Sequence, residues 1–597
     1  MTQAFTTRPE IRGSFGAVTS THWLASTVGF GILEKGGNAF DAAVATGFTL
    51  QIVEPHLNGP GGEVPIIAQA KGWDQPRVLC GQGVAPAAAT IERLRAMGYD
   101  RMPGMGLAPA VVPGAFGAWM ALLAECGTMH LREVLEPAIG YAANGYTLPH
   151  RAAESIHASA PLFRNHWLHS AEVWTPGGRL PRPQERSAQP QIAETYSRVL
   201  TEAEAVGPDR VAQIEAAQHA WYQGFVAEAI DAFYRTEQAD GGGNHCTGLL
   251  TGQDMADWSP TWEGTVNTDF HGVTVHKTGP WGQGPYLLQV LKILEERGIA
   301  DIDPTSDKYV HLIAEALKLS LADRDAYFGD PDFVDVPMDA LLDPAYIARR
   351  AAGIADSADL HLSPGDPLRD GQNRAALLAE LAADPENMPA GVGEPTFADL
   401  PDVEGDTCHL DVVDAAGNLV SATPSGGWLQ SAPAVPGLGF NITTRGQMYW
   451  LDQRMPSHLA PGRRPRTTLT PTVITKDGKP ILGLGSPGGD QQDQWACSLL
   501  LRHLCQGMNL QAAIDAPLFH SGHYVYSFAP RHFTPGALHI EDRFPEHVRV
   551  SLAERGHSVI TQDAWSLGRL CAAGFMPDGM VRAAATPRFM QAYAVGR

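Results

Sequence analysis

Positive charge is scarce in this chain. Its 597 residues include 43 Lys and Arg against 65 Asp and Glu, a net charge of −22, and no stretch concentrates the basic residues. Nucleic acid is therefore excluded as a partner, because its phosphates demand clustered Lys and Arg. Long apolar runs are missing too: nothing reaches about 18 consecutive apolar residues, so no membrane span is expected. The N-terminus, MTQAFTTRPEIRGSFGAV, lacks the charged start and apolar stretch of a secretory signal, and a cytoplasmic location is the expectation. The seven cysteines (Cys80, Cys126, Cys246, Cys408, Cys497, Cys505 and Cys571) are scattered and form no C-x-x-C pair, which excludes a disulfide framework and leaves reduced thiols. Neither NGPGGE nor GLGSPGGD has the order of a phosphate-binding loop. His520 with His523, and His245 with Cys246, are isolated pairs without metal-ligand spacing. No metal and no cofactor are expected.

What is present is the composition of a globular enzyme, 18% charged and 44% apolar, in a chain long enough to bury a large core. NAFDAAVATGFTLQIVEP reads as a buried helix capped by Asn38 and stopped before Pro55. Residues 115–235 read as mostly helical, GVTVHKTGP as a strand, and PYLLQVLKILEERG and SDKYVHLIAEALKLSLADRDAYFG as helices. Between Asp384 and Asp406 lies DPENMPAGVGEPTFADLPDVEGD, with four Pro, three Gly, seven acids and no Lys or Arg. Such a stretch cannot form a packed element. Beyond it the texture changes to hairpins, so the strongest division in the chain falls at residue 406.

The first hairpin, GDTCHLDVVDAAGNLVSATPS, opens on two nucleophile-capable side chains. Strand alternation puts Cys408 in an apolar row with Leu410 and Val412, and Thr407 on the other face with His409. A threonine hydroxyl needs a base beside it. One base requires no distant partner: the α-amino group of the same residue, titrating at about 7.7–8.0 once the chain is cut before it. A cut between Asp406 and Thr407 falls where an exposed loop tolerates it. If the turn is symmetric about Ala416, opposed positions sum to 832 and Ser425 faces Thr407, close enough for a hydroxyl–hydroxyl hydrogen bond. In GLGSPGGD, Gly488 and Gly489 offer backbone N–H groups to an oxyanion; the alternative is a tight turn with Asp490 as helix N-cap. Three alternatives stay open at this point: a plain linker with Thr407 as an ordinary strand residue, a cysteine hydrolase using Cys408, and a non-catalytic binding protein.

The hairpin resembles the start of the small subunit of gamma-glutamyltranspeptidases. So do GGNAFDAAVATGFTLQIVEPHLNGPGGE, VPGAFGAW, LREVLEPAIGYAANGYTL, ALKLSLADRDAYFGDPDFVDVP, RPRTTLTPTVITKDGKPILGLGSPGGD and QAAIDAPLFH, in the family's order. The resemblance implies an α+β fold, the four-layer αββα sandwich of N-terminal-nucleophile hydrolases. It implies a precursor that cuts itself into a large subunit, 1–406, and a small one, 407–597, together one αββα unit. That product is a heterodimer, with a dimer of heterodimers left open as the larger assembly. By position it makes Thr407 the nucleophile, Ser425 its assistant and Gly488 and Gly489 the oxyanion hole. Thr467 and Thr468 take the place of a paired Ser-Ser that contacts substrate, and Gln447 that of a pocket glutamine.

Three positions depart from the family. Gln82 stands where an arginine grips the glutamate α-carboxylate, Gly427 where an asparagine lies, and Trp450 where an acid meets the α-amino group. With both charged ends of the glutamyl clamp replaced, poor gamma-glutamyl recognition is expected. Trp428, Tyr449 and Trp450 suggest a more apolar acyl pocket, like that of the acylase and amidohydrolase branches, or else are core residues. The expected partner is a small amide or peptide-like molecule, with gamma-glutamyl transfer or glutathione hydrolysis proper as the alternative.

Overall fold

The computed structural model describes residues 5–240, 244–382, 407–529 and 531–597. The acidic loop and Asp406 lie outside the described residues. Fourteen strands build two large sheets. The chain first supplies β1 (Ile11–Gly13), β2 (Gly16–Ser20), β3 (Val64–Gln69), β4 (Arg77–Gly81), β5 (Thr261–Gly264), β6 (Val266–Phe270) and β7 (Val273–Lys277). After the loop it supplies β8 (Leu410–Asp414), β9 (Leu419–Ala422), β10 (Thr472–Lys476), β11 (Lys479–Gly485), β12 (Cys571–Phe575), β13 (Val581–Ala585) and β14 (Tyr593–Gly596). One sheet runs β14-β2-β8-β9-β3-β4-β5 and the other β1-β13-β12-β11-β10-β7-β6, antiparallel throughout. Each sheet contains strands from both before and after residue 406, hydrogen-bonded to one another, so the two stretches share one unit.

The expected four layers follow from the period of two along each strand. Leu410, Val412 and Val420 point outward into a core shared with the helices on that side, among them α1 (Trp23–Glu34), α2 (Ala39–Val53) and α3 (Ala115–Cys126). Val413 and Leu419 point the other way and meet Val473, Ala573 and Ala583 of the second sheet. The outer face of that sheet is covered by α4 (Pro285–Glu296), α5 (Asp307–Tyr327) and α6 (Gln492–Leu500). Helices fill most of 115–235, as the periodicity indicates.

Helix α2 shows why these layers form. Asn38 caps it by accepting from the Phe40 and Asp41 N–H groups, and Asp41 accepts in return from Asn38 N–H. All 15 of its residues are buried, because it lies between a sheet and further helices. Thr46 and Thr49 are tolerated there by donating to the carbonyls of Ala42 and Ala45 at 2.7 and 2.8 Å. Among the described residues no helix is long and apolar enough to cross a membrane.

Candidate active site

The hairpin has the register that symmetry about Ala416 requires. Leu410 pairs with Ala422, Asp411 with Ser421, Val412 with Val420 and Val413 with Leu419. The ladder continues to an antiparallel bridge between Thr407 and Ser425. Pro424 does not break it, because a proline lacks only the donor and its carbonyl accepts from Cys408 N–H at 2.9 Å. Thr407 Oγ1 donates to Ser425 Oγ at 3.3 Å, both residues fully buried.

The two residues after Thr407 in the motif serve other partners. Cys408 sits in the apolar outer core, its Sγ donating to Glu54 Oε2 at 3.1 Å. Burial, and then the Glu54 carboxylate, push its thiol well above the usual range. A thiol so placed is a poor nucleophile, since the thiolate is the reactive form. His409 is turned to Thr423 Oγ1 and Asp411 Oδ2, each at 3.0 Å.

The glycine turn lies above this strand head. A Cβ on Gly485 would come within 2.4 Å of the His409 ring, so only glycine allows the second sheet to approach so closely. Arg569 ties the two sides together: its backbone N–H donates to Ser486 Oγ at 3.0 Å and its Nη2 to the Thr407 carbonyl at 3.2 Å. The carbonyl of Gly488 accepts from Gln492 Nε2, and that of Gly489 from Gln283 Nε2 at 3.2 Å. With the carbonyls held on that side, neither glycine N–H has a partner among the described residues. Free, fixed donors are what an oxyanion requires. Asp490 does not cap α6, whose N-cap is Gln491 without a side-chain bond. It pairs instead with buried Arg324 and accepts from Ser527 N–H at 3.0 Å, and two charge-assisted bonds outweigh one cap.

Gln283 does more than hold Gly489. Its Nε2 also donates to the Thr468 carbonyl at 3.0 Å, its backbone N–H to the Thr467 carbonyl at 2.9 Å, and its Oε1 accepts from Arg324 Nη1 at 2.9 Å. Thr467, Thr468 and the glycine turn are thereby fixed to one residue.

The remaining expected residues divide. Gln447 is fully buried beside Arg531, which donates to its carbonyl at 3.1 Å, and its Oε1 has no partner among the described residues. Gly427 offers no side chain and has no room for one: at φ +66° its Cβ would meet Gly61, Gly62 and Asn441 backbone at 3.0 Å. Gln82 turns its amide to the neighbouring Gly83 carbonyl and lines a cleft of about 560 Å³ with Asp330 and Arg464, whose lining includes neither Thr407 nor Ser425. Trp450 packs with Leu378, Met455 and Val525 and carries the Arg531 guanidinium 4.2 Å from its ring centroid. It lines a separate cleft with Arg101 and Tyr449. Tyr449 belongs to a core cluster and donates its hydroxyl to the Arg463 carbonyl.

The sequence reading missed a charged group bonded to Ser425. Arg445, two residues before Gln447, donates Nη2 to Ser425 Oγ at 2.9 Å and Nε to Glu63, and lies 4.9 Å over the Trp428 ring. Glu63 ends the NGPGGE loop and is bridged to Ser425 through its backbone. Trp428 itself packs in a buried cluster with Met448 and Phe528, with the Arg445–Glu63 ion pair over its ring. No local pattern could have paired residues 382 positions apart.

Comparison with known proteins fits this geometry. A family model described as gamma-glutamyltranspeptidase matches residues 25–596. The glutathione hydrolase-like YwrD proenzyme of Bacillus subtilis is 29% identical over 96% of this chain and 97% of its own length. The acylase ACY 1 proenzyme of Pseudomonas sp. (strain SE83) is 31% identical over 96% of this chain and 92% of its own. Among solved structures, LmbA2991HD is 46% identical with a TM-score of 0.91, each chain covered completely. The cephalosporin acylase of Bacillus halodurans is 26% identical with a TM-score of 0.82, covering 100% of this chain and 98% of that one.

Proposed function

Because this chain belongs to the gamma-glutamyltranspeptidase family, whose members cleave amides and transfer acyl groups as self-processed proenzymes, we propose that Thr407 is its nucleophile. The observation that carries this reading is the Thr407–Ser425 contact at 3.3 Å, at the head of a strand that follows directly on residue 406. Cleavage between Asp406 and Thr407 frees an α-amino group on the nucleophile itself and leaves a heterodimer of 1–406 and 407–597.

The chemistry follows from that arrangement. The free amine takes the Thr407 hydroxyl proton as Oγ1 bonds to the substrate carbonyl carbon. The oxyanion is received by the N–H groups of Gly488 and Gly489. The C–N bond then breaks, the amine carries the proton to the leaving nitrogen, and an ester remains on Thr407. Water or an acceptor amine resolves it and restores the hydroxyl. Arg445 donates to Ser425 Oγ at 2.9 Å and so fixes the oxygen that Thr407 Oγ1 faces. Poor gamma-glutamyl recognition belongs to the same reading, since an ammonium group meets guanidinium groups here and no acid at Trp450.

The test is the purified protein on a denaturing gel. Two fragments are expected, the smaller beginning TCHLDVV, and Thr407→Ala is expected to remain one inactive chain. A different new N-terminus, or activity in the alanine variant, would assign the nucleophile elsewhere.

A further inference from the structure

Among the described residues one group of three metal-ligating side chains converges: His311, Glu315 and His557, all buried. None of them belongs to the candidate active site. His311 and Glu315 are one turn apart on α5, in the stretch HLIAE, and so share a face of that helix. His557 comes from the turn between the helix Glu546–Glu554 and the strand Ser558–Gln562. Spacing along the chain hides the group, since 246 positions separate the two histidines.

His311 Nδ1 and His557 Nε2 face each other at 2.9 Å, and His557 Nε2 stands 3.9 Å from Glu315 Oε1. All three atoms lie within 4.8 Å of one another. An ion held at about 2.0–2.1 Å by a tetrahedral set of donors keeps those donors roughly 3.3 Å apart, which falls between the two distances. The tautomer of one ring is fixed as well. His311 Nε2 donates to the Ala355 carbonyl at 2.9 Å, so its Nδ1 presents a bare lone pair to the group. A carbonyl behind the ring is how metal-bound histidines are commonly oriented. A hydrogen bond between the two rings would satisfy only the histidines, because Glu315 lies beyond hydrogen-bond reach of His557.

Glu315 is itself held in place. Its Oε2 accepts from Asp359 N–H at 3.2 Å and its Oε1 from Lys318 Nζ at 2.6 Å, while Lys318 also donates to the Asp359 carbonyl at 2.8 Å. A carboxylate has about four lone-pair sites, so Glu315 can serve Lys318 and an ion together. The ammonium nevertheless repels that ion, and the repulsion distinguishes a metal site from a simple ion pair.

We propose that His311, Glu315 and His557 bind a divalent transition-metal ion of the zinc class, with water completing its shell. Two imidazoles and one carboxylate suit Zn²⁺, whereas Mg²⁺ and Ca²⁺ take oxygen ligands. The role of the ion is to clamp the chain. His311 and Glu315 precede residue 406 and His557 follows it, so the ion joins the stretches on either side of the proposed cut. Helix α5 also carries Arg324, which pairs with Asp490 beside the glycine turn, and the clamp thereby steadies the helix that holds that turn. The inference does not depend on which residue is the nucleophile.

The test uses the purified full-length protein, stripped with a chelator and titrated with Zn²⁺, Co²⁺ and Mg²⁺. Zn²⁺ should be taken up at one ion per chain in the presence of excess Mg²⁺. Co²⁺ should give the intense visible bands of a four-coordinate nitrogen and oxygen site, without the near-ultraviolet charge-transfer band of a thiolate, which separates this group from the cysteines. His557→Asn and Glu315→Gln should weaken zinc binding at least about tenfold. Lys318→Met removes the repelling ammonium and no ligand, and should tighten it severalfold. Zinc at about a hundred times its dissociation constant should raise the thermal midpoint of the wild-type chain by about 2 °C and leave that of His557→Asn unmoved. No zinc uptake, a thiolate band with cobalt, or equal affinity in the wild type and the ligand variants overturns the proposal. If the ligand variants do not fold, Lys318→Met and the cobalt spectrum of the wild type decide. Zinc binding in Lys318→Met that is unchanged or weaker, or the pale spectrum of six-coordinate cobalt, overturns it.

Discussion

Glu63 and Arg445 form an ion pair in which both side chains are fully buried, and the arginine of that pair donates to the Ser425 hydroxyl at 2.9 Å. The pair joins the NGPGGE loop to the turn before Gln447, and so sets where the Ser425 oxygen is held. Removing one partner leaves the other charged and buried, which typically costs about 3–5 kcal/mol. Glu63→Ala should lower the unfolding free energy of the uncut Thr407→Ala chain by roughly that amount, read by denaturant titration. A loss under about 1 kcal/mol would mean that water or another group replaces the carboxylate.

Ser425→Ala removes the hydroxyl that faces Thr407 without disturbing the backbone bridge. The expected loss is roughly 10²–10³-fold in kcat, typical of one well-placed polar group in such a site, with KM little changed. Kinetics equal to wild type would show that the contact is structural only.

Gln283 joins the carbonyls of Thr468 and Gly489 through one amide nitrogen. Gln283→Met keeps the volume and removes both bonds, freeing the glycine turn to rotate. We expect kcat to fall about tenfold or more through weaker oxyanion stabilisation, while KM for the acyl donor changes less. A change in KM alone would assign Gln283 to substrate binding.

Glutathione and gamma-glutamyl p-nitroanilide should be poor substrates. Their ammonium enters a shell of guanidiniums, and the site has a tryptophan, packed away against Leu378 and Val525, at the position expected to hold an acid. Side-by-side kcat/KM values against an acyl group lacking the ammonium measure this. Efficient gamma-glutamyl turnover would show that another residue receives the amine.

His523 gives a pH dependence with a definite sign. Its ring is buried and neutral, Nδ1 accepting from Gly536 N–H at 2.8 Å while Nε2 donates to the His361 carbonyl at 3.0 Å. Burial, and then Lys318, lower it to about 4. Below about pH 6.5 the unfolded chain binds a proton that the folded chain refuses, so stability falls with pH until about 4, by about 1.4 kcal/mol per unit. His523→Gln lacks this titration. The stability advantage of the wild-type residue should therefore shrink between pH 7 and pH 5, measured in the Thr407→Ala background. Parallel pH profiles for the two proteins would contradict a neutral ring.

The hairpin from Thr407 to Ser425 could be read without a structure because its geometry is local. Alternation fixes which face each residue takes, and a symmetric turn fixes the register, so the facing of two hydroxyls 18 positions apart follows from strand geometry alone. The cap at Asn38, the hairpin of β10 and β11 and the glycine turn after it were legible for the same reason. Each is decided by a few neighbouring residues. Asp490 marks where that reasoning failed: its neighbourhood suits a helix cap, but a buried arginine from α5 binds it more strongly.

What only the tertiary structure decided is the chemistry surrounding those two hydroxyls. Glu63 reaches Arg445 across 382 positions and Gln283 reaches Gly489 across 206. Such contacts depend on how two sheets and their helices stack, and no periodicity records that. The same stacking sends Trp450 and Tyr449 into core clusters away from Thr407, and it leaves Gly427 no room for a side chain. The sequence by itself determined that Thr407 and Ser425 face each other across the hairpin, because local backbone rules suffice for that, and its ordered motifs carried the resemblance from which the fold class followed. The electrostatic character of the pocket was decided by the tertiary structure, because charges from distant segments set it once burial removes the water that would screen them.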